Sequence, residues 1–286
     1  MRQGCRIHSQ KMGSSMKRWI NKTPSKTRAF VLGLLPFLLI MALYQWGSDI
    51  RKAENPKDKL LPSVEEFQSA IDRLAFTPSK RTGEYLFWRD TASSLTRLLT
   101  GVACAALIGL FIGLLTGAIP YLGAQFNPVI TAISLIPPMA ILPMLFIVFG
   151  LGELSKVMLI VIGITPFLIR DLYSRTKEIP AEQLVKAQTL GGNSLQIIFR
   201  VLLPQVLPRL LDAVRLSLGA AWLFLIAAEA IASTDGLGYR IFLVRRYLSM
   251  DVIIPYVIWI TVLAFLLDWC INQVSKKSFP WYHAAK

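Results

Sequence analysis

Residues 98–152 contain no Asp, Glu, Lys or Arg. As continuous helix, that run would extend roughly 80 Å at about 1.5 Å per residue, enough for two bilayer crossings. Across the whole chain the pattern predicts six spans, at 29–48, 98–118, 125–149, 157–169, 210–234 and 252–272. The second carries Gly101, Ala105, Gly109, Gly113 and Gly117, small residues at every fourth position, along which a neighbouring backbone can approach closely. In the third, Pro137, Pro138 and Pro143 each remove a backbone donor, so this helix is predicted to bend or break, with freed carbonyls facing protein or water. The fourth is short, bounded by Lys156 and Arg170, and crosses only if both cations snorkel.

The polar stretches between spans have structure of their own. Residues 49–96 mix eight basic and eight acidic side chains and do not insert. Within them Ser63-Val64-Glu65-Glu66 has capping-box form, and Val64, Phe67, Ile71 and Leu74 recur at helical spacing. The expectation is an amphipathic helix on the membrane surface or on the bundle. Residues 178–204 parse as two short helices, 181–190 and 194–203, with Gly191 and Gly192 as the turn and Asn193 or Ser194 as the second cap. Leu195, Ile198 and Leu202 give that second helix an apolar face inside a polar loop. A helix–Gly–helix knob with exposed apolar side chains calls for a partner.

Composition agrees with a membrane bundle: 54% hydrophobic residues, 17% charged, mean hydropathy +0.51. The net charge of +14 is not a nucleic-acid signature, because residues 1–28 alone hold eight Lys/Arg and no acid. A basic arm before an apolar run is what the positive-inside bias produces, and it puts both termini in the cytoplasm. The same topology places residues 170–209 inside, while Arg240, Arg245 and Arg246 fall outside, against the rule. No small-x-small cleavage site follows Met41, so the first run reads as an anchor; Met12 and Met16 are alternative starts. Cys5, Cys104 and Cys270 are too scattered for a disulfide or metal framework and read as inert or buried thiols. His8 and His283 lie near the termini, which leaves metal and His-based chemistry almost nothing to use.

The loop also carries a resemblance. Ala187-x-Thr189-Leu190-Gly191 followed by Phe199-Arg200-Val201-x-Leu203-Pro204 is similar to the EAA loop of importer-type ABC permeases. Ser94-Leu-Thr-Arg97, Ile136-Pro-Pro-Met-Ala-Ile-Leu-Pro143, Phe149-Gly-Leu-Gly-Glu-Leu-Ser-Lys156, and Glu229 with Gly236-Leu-Gly-Tyr239 extend it over about residues 60–272. Together they resemble the nitrate/sulfonate/taurine/bicarbonate branch, and Trp222 to Tyr247 is similar to permeases encoded beside urea- or guanidine-carboxylating enzymes. The resemblance implies an all-α polytopic bundle of the type I importer fold in the bacterial inner membrane. It also implies a homodimer, separate ABC ATPase subunits holding ATP and Mg, and an extracytoplasmic solute-binding protein. No cofactor and no nucleic acid is implied for this chain.

By that resemblance, Glu182, Val185, Ala187, Thr189, Leu190, Gly191, Gly192, Leu195, Ile198 and Pro204 meet the ATPase. Val185 stands where the family's usual acid aligns and Lys186 where its first alanine does, so Glu182, one turn earlier, is the alternative ion-pair partner. Pro137, Pro138, Glu229 and Asp268 are pathway candidates, with a structural role for Glu229 and Asp268 as the alternative. Trp222 and Trp259 read as packing aromatics. The expected organisation is a 1–28 arm, a 29–48 span, a 49–96 connection, a 97–275 core containing loop 178–204, and a 276–286 tail. Because no Gly-x-x-x-x-Gly-Lys-Ser/Thr motif occurs, the energy must come from a partner. Glu229 and Asp268 also leave open a self-sufficient channel or ion-coupled carrier; no HExxH or nucleophile elbow supports a membrane enzyme.

Overall fold

The computed structural model describes residues 25–55, 59–79 and 83–284. Most of the basic arm, with Cys5, His8, Met12 and Met16, lies outside them. Two units are distinguished, Met1–Pro56 and Lys57–Lys286, and each is described by itself. In the first, α1 (Lys26–Glu54) is capped by Ser25, which accepts from the Arg28 N–H. Its 29 residues suffice to span a bilayer. It outruns the predicted 29–48 because polar residues continue the helix, Gln45 donating to Asp49 at 3.0 Å.

In the second unit, α2 (Val64–Ile71) opens on the capping box, with the Ser63 N–H on Glu66 at 2.8 Å. It packs against the bundle through Ala70 and Ala75, with Leu74 beside them, while Val64 and Ile71 are exposed. A π turn over Asp72–Phe76 follows it.

The spine is α3 (Leu86–Ala118) against α6 (Glu153–Lys177). α3 starts twelve residues before the predicted span, because Asp90, Thr91, Ser94 and Arg97 lie on a buried, hydrogen-bonded face and the helix tolerates their polarity. A Cβ built at Gly101 would lie 2.9 Å from Ile160, at Gly109 2.8 Å from Leu168, at Gly113 2.8 Å from Leu172, and at Gly117 2.6 Å from Thr176. Ala105, in the same row, is fully buried. The partners advance in step, so α3 and α6 run parallel.

Gly113→Leu is therefore expected to lower stability by roughly 1–3 kcal/mol or more through overpacking. Gly219→Leu, where nothing lies within 4 Å, is the neutral control. Thermal unfolding of both purified variants checks this, and equal melting points would refute the close seam.

Parallel α3 and α6 require the intervening chain to return across the bundle. It does so as α4 (Pro120–Ser134) and α5 (Pro138–Phe149), which meet at 93°. Pro137 and Pro138 cannot donate back to Ile133 and Ser134, and the helix breaks there. α6 is nearly twice the predicted 157–169. Lys156, expected to mark its start, is buried, with Nζ 2.8 Å from Glu153 and 3.1 Å from Ser233. Arg170, expected to mark its end, donates to Ser134 Oγ at 2.9 Å from within the helix.

α7 (Ala181–Thr189) and α8 (Ser194–Ile197) follow, then a π turn over Ile198–Leu202 that leads into α9 (Leu203–Ala232). The second loop helix and the fifth span, predicted as separate, are one helical run from Ser194 to Ala232. α9 is antiparallel to α6: Lys156 meets Ser233 at one end, and Glu178, just past α6, meets Arg209 at the other. α10 (Leu237–Arg245) turns the chain into α11 (Met250–Ser278), which descends beside α9. The short α12 (Pro280–Ala284) closes the chain. The end carrying α7 and α8 is called proximal here and the other distal; α11 finishes proximally. Cys104 and Cys270, expected to be buried or inert, are free and exposed.

Candidate functional site

At the proximal end, α7 stops in a Schellman turn. The Gly192 N–H bonds the Ala187 carbonyl at 3.0 Å and the Gly191 N–H bonds that of Gln188 at 2.9 Å. Gly191 sits at φ +84°, where a side chain is strained. Asn193 then starts α8 with a reciprocal cap: its Oδ1 accepts from the Gln196 N–H at 2.8 Å, and Gln196 Oε1 accepts from the Asn193 N–H at 3.0 Å. The knob is tied to α9 by Gln205 donating to Gln183 at 3.1 Å and by Arg209 donating to Glu178 at 3.0 Å.

Glu182, Val185, Thr189, Gly191 and Pro204 are exposed, and Ala187 and Gly192 are half-buried. Leu190 is 89% exposed, Leu195 65% and Phe199 60%. The expected apolar face of Leu195, Ile198 and Leu202 needs correction. Ile198 (6% exposed) and Leu202 (2%) turn into the core together with Ile197, and of the three expected positions only Leu195 faces outward. Ile198 therefore offers no docking surface. Phe199, quoted within the motif but absent from the candidate contacts, presents an apolar side chain instead.

At the distal end a buried charge cluster joins four helices. Glu229 is fully enclosed. Its carboxylate accepts from Ser94 Oγ at 2.8 Å, from Arg97 Nη1 at 2.8 Å and from the Gly238 N–H at 2.8 Å. Arg97 also donates to Glu153 and Asp235, and Lys156 joins through Glu153. Asp90, equally buried, accepts from Arg240 Nε at 2.8 Å, from the Gly236 N–H at 3.1 Å and from Tyr256 at 3.3 Å. Burial pulls the Arg240 guanidinium down, but the Asp90 hydrogen bond and charge leave it raised above arginine's ordinary value. Gly236 (φ +111°) and Gly238 let the loop lie against Glu229; a Cβ at Gly238 would be 2.7 Å from the Ile226 carbonyl oxygen.

Of the four pathway candidates, Glu229 thus faces a sealed hydrogen-bond network. Asp268 is paired with Arg215, Oδ1 to Nε at 2.8 Å and Oδ2 to Nη2 at 2.9 Å, on the wall of a 660 Å³ cavity between α6, α9, α11 and α12. Pro137 and Pro138 form the elbow, and Pro138 lines a second cavity of 540 Å³ with Ser134, Arg170 and Phe224. Trp259 donates to Thr91 Oγ1 at 3.0 Å and stacks near Phe87 and Trp88, a packing role; Trp222 is buried. The partners Arg97, Asp90 and Arg240 were not singled out as site residues, and the one sequence signal for them was Ser94-Leu-Thr-Arg97 recurring before an apolar helix. Among the described residues, no three His, Cys, Asp or Glu side chains are placed to hold a metal ion.

The bundle thus combines a parallel helix pair, a broken return span and a proximal helix–Gly–helix knob. Residues 94–278 match the family described as binding-protein-dependent transport system inner membrane component. The chain belongs to that family. The taurine transport system permease protein TauC of Escherichia coli (strain K12) is 33% identical over 195 residues, 68% of this chain and 71% of that one. The bicarbonate transport system permease protein CmpB of Synechococcus elongatus is 28% identical over 257 residues, 89% of this chain and 90% of that one. The inward-facing MetNI methionine ABC transporter shares the fold at a TM-score of 0.61 and 20% identity, covering 70% of this chain and 98% of that one.

This binding-protein-dependent permease is a membrane-embedded transport subunit of an ABC importer for a small solute, in the taurine/sulfonate/bicarbonate branch. Its family works with an ATPase and a binding protein. The matched region begins at Ser94 and so takes in Arg97, Glu153 and Glu229 of the distal cluster, the 540 Å³ cavity and the knob, while Asp90 lies before it and Trp281 and Tyr282 of the larger cavity lie beyond it.

Proposed function

We propose that the α7–Gly191–Gly192–α8 knob is where this permease takes force from a separate ATPase, on which ATP and Mg bind. The proximal end then faces the cytoplasm, with both termini on that side, and a second copy of the chain completes the pathway. One observation carries the reading: Leu190, Leu195, Phe199 and half-exposed Val185 project from a hinged, hydrogen-bonded knob rather than into the core. Burying one such leucine against a partner contributes about 1.5–3 kcal/mol. Glu182, exposed one turn before Val185, supplies a charge to the same face. The orientation is supported by the arm's eight cations. TauC and CmpB move taurine and bicarbonate respectively, and we assign this chain a small polar solute of comparable size, delivered by an extracytoplasmic binding protein.

Co-expression of the tagged chain with its ATPase is the direct test. The ATPase is expected to co-purify in equal amount, and Leu190→Asp with Leu195→Asp to abolish that without loss of membrane insertion. Labelling of Gln188→Cys and Phe199→Cys from the extracytoplasmic side alone would overturn the orientation and with it the docking site.

A further inference from the structure

The circumference of α2 is divided among three stripes. Ala70 is buried and Leu74, four residues on, packs beside it, so this stripe meets the bundle. Glu65, Ser69 and Asp72, spaced four and three apart, are polar and exposed, as a stripe in water should be. Val64 and Ile71, about two turns apart, form a third stripe roughly a quarter-turn round from the bundle stripe. Both are apolar, yet Val64 is 63% exposed and Ile71 37%. The π turn that follows adds Phe76, 68% exposed.

The level at which α2 sits decides what covers that third stripe. Ala70 and Leu74 share a small cavity with Asp251, Val252 and Tyr256 of α11, and Arg73 pairs with Asp251 at 3.6 Å. Asp251 is the last charge before residues 252–267, which carry no Asp, Glu, Lys or Arg. α2 therefore lies where α11 passes from a polar end into an apolar run. The outward side chains of the neighbouring spans, Val257 and Ile258 of α11 and Leu99 of α3, are exposed and apolar, so in a membrane they face lipid. Tyr85 and Trp88, exposed at the distal start of α3, carry the amphipathic rings that favour a membrane–water boundary, and Trp88 meets Trp259 edge-on at 5.9 Å. The Val64–Ile71 stripe continues this lipid-facing surface around the rim.

We infer that α2 and its π turn form an interfacial anchor whose partner is the lipid surface at the distal rim. Val64, Ile71 and Phe76 enter the acyl border, while Glu65, Ser69 and Asp72 stay in water. Bundle at the side, bilayer beneath and water above account for all three stripes of one short helix. The polar stripe carries acids and Arg73 is already paired, so apolar burial holds the anchor and anionic headgroups add nothing to it. The anchor also reaches the distal cluster: Tyr256, on the cavity shared with α2, donates to Asp90 at 3.3 Å. It thereby fixes the depth at which that cluster sits. The inference goes beyond the coupling reading and needs only that the chain spans a membrane, whichever side the distal end faces.

The test is nitroxide scanning of the full chain in phosphatidylcholine nanodiscs, in a background carrying Cys5→Ser, Cys104→Ser and Cys270→Ser. Labels at Val64→Cys, Ile71→Cys and Phe76→Cys are expected to be broadened more by oxygen, which concentrates in the bilayer, than by a water-soluble nickel chelate. Labels at Glu65→Cys, Ser69→Cys and Asp72→Cys are expected to show the reverse order. The pattern is expected to persist when phosphatidylglycerol is mixed into the discs. Chelate broadening that dominates at all six sites overturns the anchor. So does shielding of Val64→Cys and Ile71→Cys from both reagents, which would give the stripe to a second copy or another protein. Oxygen broadening that appears only with phosphatidylglycerol overturns the apolar account in favour of headgroup attraction. If Ile71→Cys does not fold, Val64→Cys and Phe76→Cys, which project furthest from the bundle, decide the matter against Glu65→Cys and Ser69→Cys. Loss of ATPase co-purification would leave this pattern standing, since the labels are read on the permease alone.

Discussion

Arg97→Ala is expected to destabilise the bundle by about 3–5 kcal/mol, because it strands a buried carboxylate instead of removing a surface charge. Glu229 would keep only Ser94 and the Gly238 N–H, at 2.8 Å each, with its carboxylate fully buried. Glu153 and Asp235 would lose the same guanidinium. Because Arg97 belongs to α3, Glu153 to α6, Glu229 to α9 and Asp235 to the turn before α10, one substitution loosens four elements at the distal end. Glu229→Gln is the informative partner. It keeps shape and one acceptor, and removes the charge Arg97 faces, so it should fall between wild type and Arg97→Ala in thermal unfolding. An Arg97→Ala chain that melts like the wild type would refute the structural role. A Glu229→Gln chain that melts normally yet moves no solute would place Glu229 on the pathway.

How much of this was legible beforehand varies with the physics involved. The break at Pro137–Pro138 was, since an absent N–H is a local fact that no packing restores. The knob's turn and caps were legible for the same reason: Gly191, Asn193 and Gln196 act within a few residues of one another. The distal cluster was not, because Ser94 and Glu229 are 135 positions apart and nothing local announces their meeting. The fourth span was misjudged because Lys156 and Arg170 look like ends when read as solvated charges. One is buried beside Glu153 and the other leans on Ser134, so α6 continues through both. The small-residue stripe announced a close approach without naming the partner; only the three-dimensional register supplies Ile160, Leu168, Leu172 and Thr176. Ile198 and Leu202 were assigned to the outer face because helical spacing shows which side chains share a face and not whether that face meets the bundle; Ile197, Ile198 and Leu202 are buried in it and Leu195 is not.

Gly191→Trp is expected to leave the protein inserted and folded while abolishing solute-stimulated ATP hydrolysis by the partner ATPase. Nothing lies within 4 Å of a Cβ built at this position, so the indole has no core to disrupt. The left-handed φ of +84° costs roughly 1–2 kcal/mol for any side chain, too little to unfold a long-helix bundle. What the indole does occupy is the space beyond the turn, between exposed Leu190 and Leu195, where an ATPase groove would have to close. Gly191→Ala separates the two effects, since it carries the same strain with almost no bulk and should retain most of the coupling. Gly192 behaves differently: a Cβ there would lie 2.8 Å from the Ala187 carbonyl oxygen, so Gly192→Ala should fray the Schellman turn itself and lower coupling through disorder of α7. ATPase rates of reconstituted complexes, with and without binding protein and solute, distinguish the three. Coupling that survives Gly191→Trp would mean the force enters the permease somewhere other than this turn.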